Sequence, residues 1–228
     1  MSFADRREAG RLLAERLSDI RGEQPIVYGI PRGGVVVAHE VASGLDCDLE
    51  VLIVRKLGYP GHEEAAFGAL GEEGALAPEA LAALGPGDPG YDVVRQAMER
   101  KGREAAEQIQ QYRGGRERRK ATDRTAVVVD DGIATGYTFA AALAIVARDR
   151  PRRLIAAIPV ATVEGSALVE RYADDVRLLK AADPSRFFAV SLHYDRFEQV
   201  SDEEVVQLLS REPRGGAMTR DREPEGEG

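Results

Sequence analysis

Two carboxylates stand side by side at Asp130 and Asp131, directly after the apolar run 126–129 and directly before Gly132-Ile133-Ala134-Thr135-Gly136-Tyr137-Thr138. The run reads as a buried strand, the glycine-bearing segment as a loop, and 139–148 as the helix that the loop opens. The first backbone N–H groups of such a helix lack intrahelical partners and lie at the positive end of its dipole, so they attract a phosphate. Thr135 and Thr138 add hydroxyl donors, while Gly132 and Gly136 let a ligand approach the backbone closely. The acids, by contrast, are acceptors that suit vicinal sugar hydroxyls or the waters around a divalent cation. One end of the loop favours an anion and the other end is doubly anionic. A 5-phosphorylated ribose bound with magnesium satisfies both ends, whereas two bare acids at a helix-capping turn only repel each other.

A second glycine turn, Pro31-Arg32-Gly33-Gly34, follows the apolar run 25–30 and opens a helix ending near Gly44. Its N–H groups form another anion cradle, with a guanidinium beside it. Arg55 and Lys56 close a second apolar run, 49–54, and two unpartnered cations rarely end a buried strand without an anion to meet. His62 follows in a Gly/Pro loop and reads first as a solvated loop histidine. His39 reads as a helix surface or packing residue. Arg116, Arg118, Arg119 and Lys120 read as a solvated basic connector. Phe187, Phe188 and Tyr194 suit either stacking on a planar base or core packing.

The elements that must position these groups alternate in type. An amphipathic helix spans 3–20, then come strands at 25–30, 49–54 and 65–70, and a long helix at 91–112. That helix has an apolar stripe through Val94, Met98, Ala105, Ile109 and Tyr112, with ion pairs Glu99–Arg103 and Arg100–Glu104 on its wet face. Further strands are expected at 126–129, 154–161, 176–179 and 187–192, with helices at 139–148, 166–173 and 201–209, the last opened by a Ser201–Glu204 capping box. Strands apolar throughout, alternating with helices, predict an α/β fold with a mostly parallel sheet covered on both faces. Residues 1–210 read as one domain with a helical insertion at about 72–120, and 211–228 as a charged tail.

Composition narrows the class. The chain has 228 residues, a formal net charge of −8, one cysteine (Cys47), three separated histidines and no asparagine. One cysteine excludes an internal disulfide framework and a multi-cysteine zinc site, and the histidines offer no helical metal pair. The acidic balance argues against a nucleic-acid or anionic-membrane binder. The acidic N-terminal residues and short apolar runs lead to the expectation of a cytoplasmic protein with no membrane span. Absence of asparagine, with Arg favoured over Lys, fits a thermophile or a GC-rich genome.

Four hydrophobics, two acids and G-x-x-T-G-x-T at 126–138 together resemble the 5-phosphoribosyl-1-pyrophosphate (PRPP) signature of type I phosphoribosyltransferases. The resemblance covers roughly 20–70 and 120–195. It implies that fold, with a central parallel sheet and a small hood from terminal segments, and transfer of the 5-phosphoribosyl group to a nitrogenous base with release of pyrophosphate. It implies catalytic roles for Asp130, Asp131, Arg55 and Lys56, a 5-phosphate site at 132–138, and a pyrophosphate site at Pro31, Arg32, Gly33 and Gly34 with a cis Pro31–Arg32 bond. It also implies Mg2+ carried with PRPP, held by Asp130 and Asp131 only through water or ribose. Independently of it, Phe187 and Phe188 are the aromatic candidates for the base, and the apolar stripe from Val94 to Tyr112 must be buried, which leads to the expectation that 72–120 shields one edge of the cleft or contributes to a homodimer. Hypoxanthine-guanine enzymes carry an acid where Ala134 stands, so their purine chemistry is not implied. A non-catalytic PRPP or nucleotide sensor and a phosphosugar hydrolase are the alternatives.

Overall fold

The computed structural model describes residues 2–59, 62–71, 74–75, 88–182 and 187–210. Its centre is a parallel sheet in the order β2 (Asp48–Val51), β1 (Ile26–Gly29), β6 (Thr125–Val129), β7 (Arg153–Thr162) and β8 (Asp175–Ala182). Both faces of the central strands are covered, which is why β1, Ala126–Val129 of β6 and Leu154–Ala161 of β7 are runs without alternating polar residues, whereas edge strand β8 is half-buried and carries Arg177 and Lys180. Val127 and Val129 pack with Leu13 of α1 (Arg6–Arg16), with Leu17 that follows it, and with Val37 and Val41 of α2 (Gly33–Leu45). Ala126 and Val128 pack on the opposite side with Phe139, Leu143 and Val169, from α4 (Tyr137–Ala147) and α5 (Val163–Val169). Each such fully buried branched side chain contributes about 1.5–3 kcal/mol.

The order of strands positions the chemistry. From β1 the chain moves to β2 on one side, and later returns through β6 on the other, so β1 and β6 flank a topological switch point. Gly29 pairs with Val129 in register. The turns after both strands therefore emerge together at the carboxyl edge, where open α/β sheets bind ligands.

The stretch read as one strand at 49–54 is two. β2 ends at Val51, and after a corner the chain enters β3 (Val54–Tyr59), which pairs antiparallel with β4 (His62–Gly71) and β4 with β5 (Gly74–Ala75) in a separate small sheet. Arg55 and Lys56 thus lie near the start of a hairpin strand, not at the end of a core strand. The fully buried Leu52 and Ile53 at the corner make the run look continuous.

The long helix, α3 (Pro89–Arg113), is capped by the Asp88 side chain, which accepts from Gly90 N, and ends at Gly114. Its expected stripe is buried at Val94, Ala105 and Tyr112, the last two against Val35, Val51, Val205 and Leu208. Its ion pairs differ from expectation: Arg95 meets Glu99 at 2.6 Å, and Lys101 meets Glu104 at 2.8 Å. The helix covers only 89–113 of the expected helical segment, and 76–87 lie outside the described residues.

Two other expectations are corrected. Gly44 does not cap α2. The helix continues to Leu45 with Asp46 in the left-handed region as its cap, while Gly44 permits the close crossing of α1, since a Cβ there would lie 2.6 Å from the Ala14 Cβ. Residues 187–192 form no strand but lead into a 3-10 turn at Val190–His193. The terminal segments zip together as a hood: Phe3 bridges to Tyr194 and their rings lie 5.4 Å apart. The Ser201 hydroxyl caps α6 (Asp202–Ser210) by accepting from Glu204 N at 3.2 Å.

The basic connector is not a solvated stretch. Glu50, fully buried, accepts from Arg113 Nε at 3.1 Å, Arg116 Nη1 at 2.8 Å and the Arg119 backbone N–H at 3.0 Å. Arg118 forms a bidentate pair with buried Asp149 at 2.7 and 2.8 Å. These contacts bind the end of α3 to the sheet. No helix among the described residues is long and apolar enough to cross a membrane. The expected tail at 211–228 lies outside the described residues.

Candidate active site

Strand β6 delivers Asp130 and Asp131 to the carboxyl edge, beside the turn that follows β1. The Pro31–Arg32 peptide is cis, as the resemblance implies. Gly33 and Gly34 then open α2 against the acids. A Cβ on Gly34 would lie 2.8 Å from both the Asp130 Cα and Oδ1, and one on Gly33 only 1.9 Å from Asp131 Oδ2. Only glycine lets the two turns close this tightly.

The acids are not equivalent. Burial pushes the Asp130 carboxyl well above its ordinary value, and the neighbouring Asp131 charge pushes it further. Asp131 is also raised by burial, but the Arg6 guanidinium opposes the rise, with Nε donating to Oδ2 at 2.7 Å. Arg6 is itself fixed: Nη1 donates to the Glu198 carbonyl at 2.7 Å, and its guanidinium carbon lies 3.6 Å from the Phe197 ring centroid. Tyr194 in the hood donates to the Asp131 carbonyl at 2.5 Å, and burial raises that phenol.

The loop 132–138 lies along one wall of a cleft of about 510 Å³. Ile133 is stitched to β7, donating to Val160 O at 2.9 Å and accepting from Thr162 N at 3.1 Å. Gly136 caps α4 in the left-handed region at φ 81°, and a Cβ there would lie 2.8 Å from Gly165 O. No side chain caps the start of α4 and no acid occupies its first turn, and Gly136, Thr138 and Phe139 at this helix start line the cleft. Ala134, Thr135 and Tyr137 are exposed, and Thr138 is half-buried.

The other expected residues divide. Pro31 and Arg55 line the cleft. The Arg32 guanidinium instead lies 3.8 Å from Asp202 Oδ1 of α6. The backbones of Lys56 and His62 run in the hairpin, but their side chains lie outside those described. Phe187 stacks on His193 at 5.3 Å, and Phe188 is 83% exposed. The hood residue that lines the cleft is Val190. Sequence reasoning missed Arg6 and Lys101, and it did not place Tyr194 against the acids. Arg6 meets an acid 125 positions away, and no local spacing signals such a pair.

The phosphoribosyl transferase domain model matches residues 4–196. The chain belongs to this family. Proteins from two Mycobacterium tuberculosis strains, CDC 1551 / Oshkosh and ATCC 25618 / H37Rv, each carrying the name "Putative phosphoribosyl transferase", are 43% identical over 219 residues. The match covers 92% of this chain and 46% of theirs, so the chain spans about half the length of these curated relatives. The crystal structure of TT1426 from Thermus thermophilus superposes with a TM-score of 0.80 at 39% identity, covering 95% of this chain and 100% of that one. The type I phosphoribosyltransferase architecture, with its central parallel sheet flanked by helices, is the fold of this chain.

Proposed function

We propose that this chain transfers the 5-phosphoribosyl group of PRPP to a nitrogen of a base-like acceptor. The observation that carries the reading is the packing of a half-buried carboxylate pair against the glycine turn after β1, with the phosphate loop following directly, at one switch point. In the reaction the bond between ribose C1 and the pyrophosphate oxygen breaks, its electron pair leaving with the oxygen. The acceptor nitrogen's lone pair bonds to C1, and its proton passes to solvent.

Each group has a role in that displacement. The loop 132–138 holds the 5-phosphate through backbone N–H groups and the Thr135 and Thr138 hydroxyls, supplying binding energy remote from C1. Asp130 and Asp131 accept from the ribose hydroxyls and place negative charge near the cationic character that develops on the ring. The backbone N–H groups of the Pro31–Gly34 turn, with Arg55 and Lys56, offset the charge of the departing pyrophosphate. Among the described residues, no group of three or more His, Cys, Asp or Glu converges to hold a metal. The carboxylate oxygens of Asp130 and Asp131 suit a magnesium ion carried with PRPP, which they would hold through water or ribose, and such an ion would offset charge on the leaving group.

One observation favours a second reading, a regulatory protein that binds PRPP or a nucleotide without turnover. The Arg32 guanidinium lies 3.8 Å from the Asp202 carboxylate, an acid that competes with an incoming anion for it. The test is calorimetry with PRPP and magnesium, followed by assays of pyrophosphate release across purine, pyrimidine and other nitrogenous acceptors. The transferase reading expects PRPP to bind and at least one acceptor to support release that falls in Asp130→Asn and Asp131→Asn. Tight PRPP binding with no release for any acceptor replaces it with the regulatory reading, and failure of PRPP to bind removes both.

A further inference from the structure

The face of α3 that carries Lys101, Glu104, Gln108 and Tyr112 follows helical spacing and looks toward the cleft and α6. Lys101 lines the cleft with Arg55, residues of the phosphate loop and Asp130. Gln108 holds Arg55, accepting from Nη2 at 2.5 Å, and donates through Nε2 to the Tyr112 hydroxyl at 2.9 Å. Tyr112 in turn donates to Asp202, the carboxylate that engages Arg32. One face of one helix therefore fixes Arg55 in the wall of the cleft and shares the acid that draws Arg32 aside.

Two donor sets in this wall remain for a ligand. Arg55 Nε is buried and has no hydrogen-bond partner among the described residues. A lysine ammonium carries three donors, and Lys101 meets Glu104 at 2.8 Å. A buried guanidinium N–H left without an acceptor costs free energy that an incoming anion removes. The cleft lining thus combines the phosphate-loop residues, the Asp130 carboxylate and two cations, Arg55 and Lys101. That set of groups fits a ligand that carries more than one anionic group as well as hydroxyls.

We propose that Lys101 is a pyrophosphate-binding residue, which with Arg55 takes the leaving-group charge that the Arg32 guanidinium, turned toward Asp202, does not. The inference rests on the PRPP reading of the cleft and assigns a function to the long helix: it carries one cation into the site and clamps the other. A lysine from this helix is separate from the pair Arg55-Lys56 that the hairpin supplies.

The test compares wild type, Lys101→Met and Lys101→Arg by calorimetry in magnesium buffer with three probes: PRPP, inorganic pyrophosphate and ribose 5-phosphate. Lys101 is a partly exposed helix residue, and unchanged thermal midpoints confirm that the variants fold. Loss of one charge-assisted contact weakens PRPP and pyrophosphate binding about tenfold or more in Lys101→Met, leaves ribose 5-phosphate within about twofold, and is largely restored in Lys101→Arg. Wild-type affinity for PRPP in Lys101→Met overturns the inference while leaving the PRPP reading intact. Equal weakening of all three probes also overturns it, because the lysine then acts as a general field. If wild type binds neither PRPP nor ribose 5-phosphate, the PRPP reading itself falls, and the inference with it.

Discussion

Gly33 and Asp131 approach so closely that a Cβ on the glycine would stand 1.9 Å from Asp131 Oδ2 and 2.7 Å from the Arg6 Nε that holds it. The turn after β1 and the acids after β6 are therefore one packed unit. Gly33→Ala should drive the Asp131 carboxylate and Arg6 out of register, at an overpacking cost of about 1–3 kcal/mol. Denaturant titration measures that loss, and PRPP calorimetry should show weakened binding in the same variant. Wild-type stability and affinity together would mean that the acids shift without consequence.

The two acids should respond differently to amidation. Both carboxyls are raised in the folded chain, chiefly by burial. Above the unfolded aspartate value of about 3.9, the folded chain keeps protons that the unfolded chain has shed. Their contribution to stability is thus fully present below that value and is lost as pH rises through the folded values. Asp130→Asn should flatten this fall and stabilise the unliganded chain near neutrality by about 0.5–2 kcal/mol. Asp131→Asn should instead cost about 1.5–3 kcal/mol, because it removes the charged acceptor of Arg6. Thermal midpoints of both variants between acid and neutral pH check the signs, and both should lose pyrophosphate release.

The site's two loops were legible because each follows a run of apolar residues and contains glycines that no ordinary turn of that length requires. The adjacency of Asp130 and Asp131 pointed to a ligand for the same reason, since a purely structural turn gains nothing from it. What escaped the sequence was long-range or ambiguous in pattern. Leu52 and Ile53 are buried at a corner between two sheets, so apolar continuity hid the end of β2. Residues 187–192 have the aromatic and branched composition of a strand, yet Phe187 and Val190 pack with Phe3 and Tyr194 beneath the hood. Charge counting could not separate a solvated arginine from Arg118, whose partner Asp149 lies 31 positions away. Arg32 kept its place at the start of α2, but only the fold revealed Asp202 beside it.

Glu50 supports a prediction about stability rather than turnover. Its side chain is fully buried and Arg113 is only 2% exposed, so removing the charge deprives a buried guanidinium, which also donates to the Val51 carbonyl, of its Glu50 counter-charge. Breaking such a pair from one side costs about 3–5 kcal/mol. Glu50→Gln should therefore lower the denaturant midpoint strongly, while any folded fraction keeps its PRPP affinity. A midpoint equal to wild type would mean that the carboxylate oxygens, not the charge, satisfy Arg113 and Arg116.

Thr138 and Gly136 separate side-chain from backbone contributions within the phosphate loop. The Thr138 hydroxyl would grip the 5-phosphate in the ground and transition states alike, so Thr138→Val should raise KM for PRPP by about tenfold with little change in kcat. It should weaken ribose 5-phosphate equally, because the contact is at the end common to both ligands. Gly136→Ala differs in kind. Its φ of 81° disfavours a side chain, and the added Cβ would press on Gly165 O from 2.8 Å away. Relief requires the loop or the start of α5 to move, and the N–H groups that open α4 then lose their common aim. Affinity for PRPP and ribose 5-phosphate should fall further than in Thr138→Val, together with a loss of stability of about 1–2 kcal/mol from the left-handed backbone alone. If the two variants weaken ribose 5-phosphate to the same extent, the threonine hydroxyl rather than the backbone cradle dominates phosphate binding.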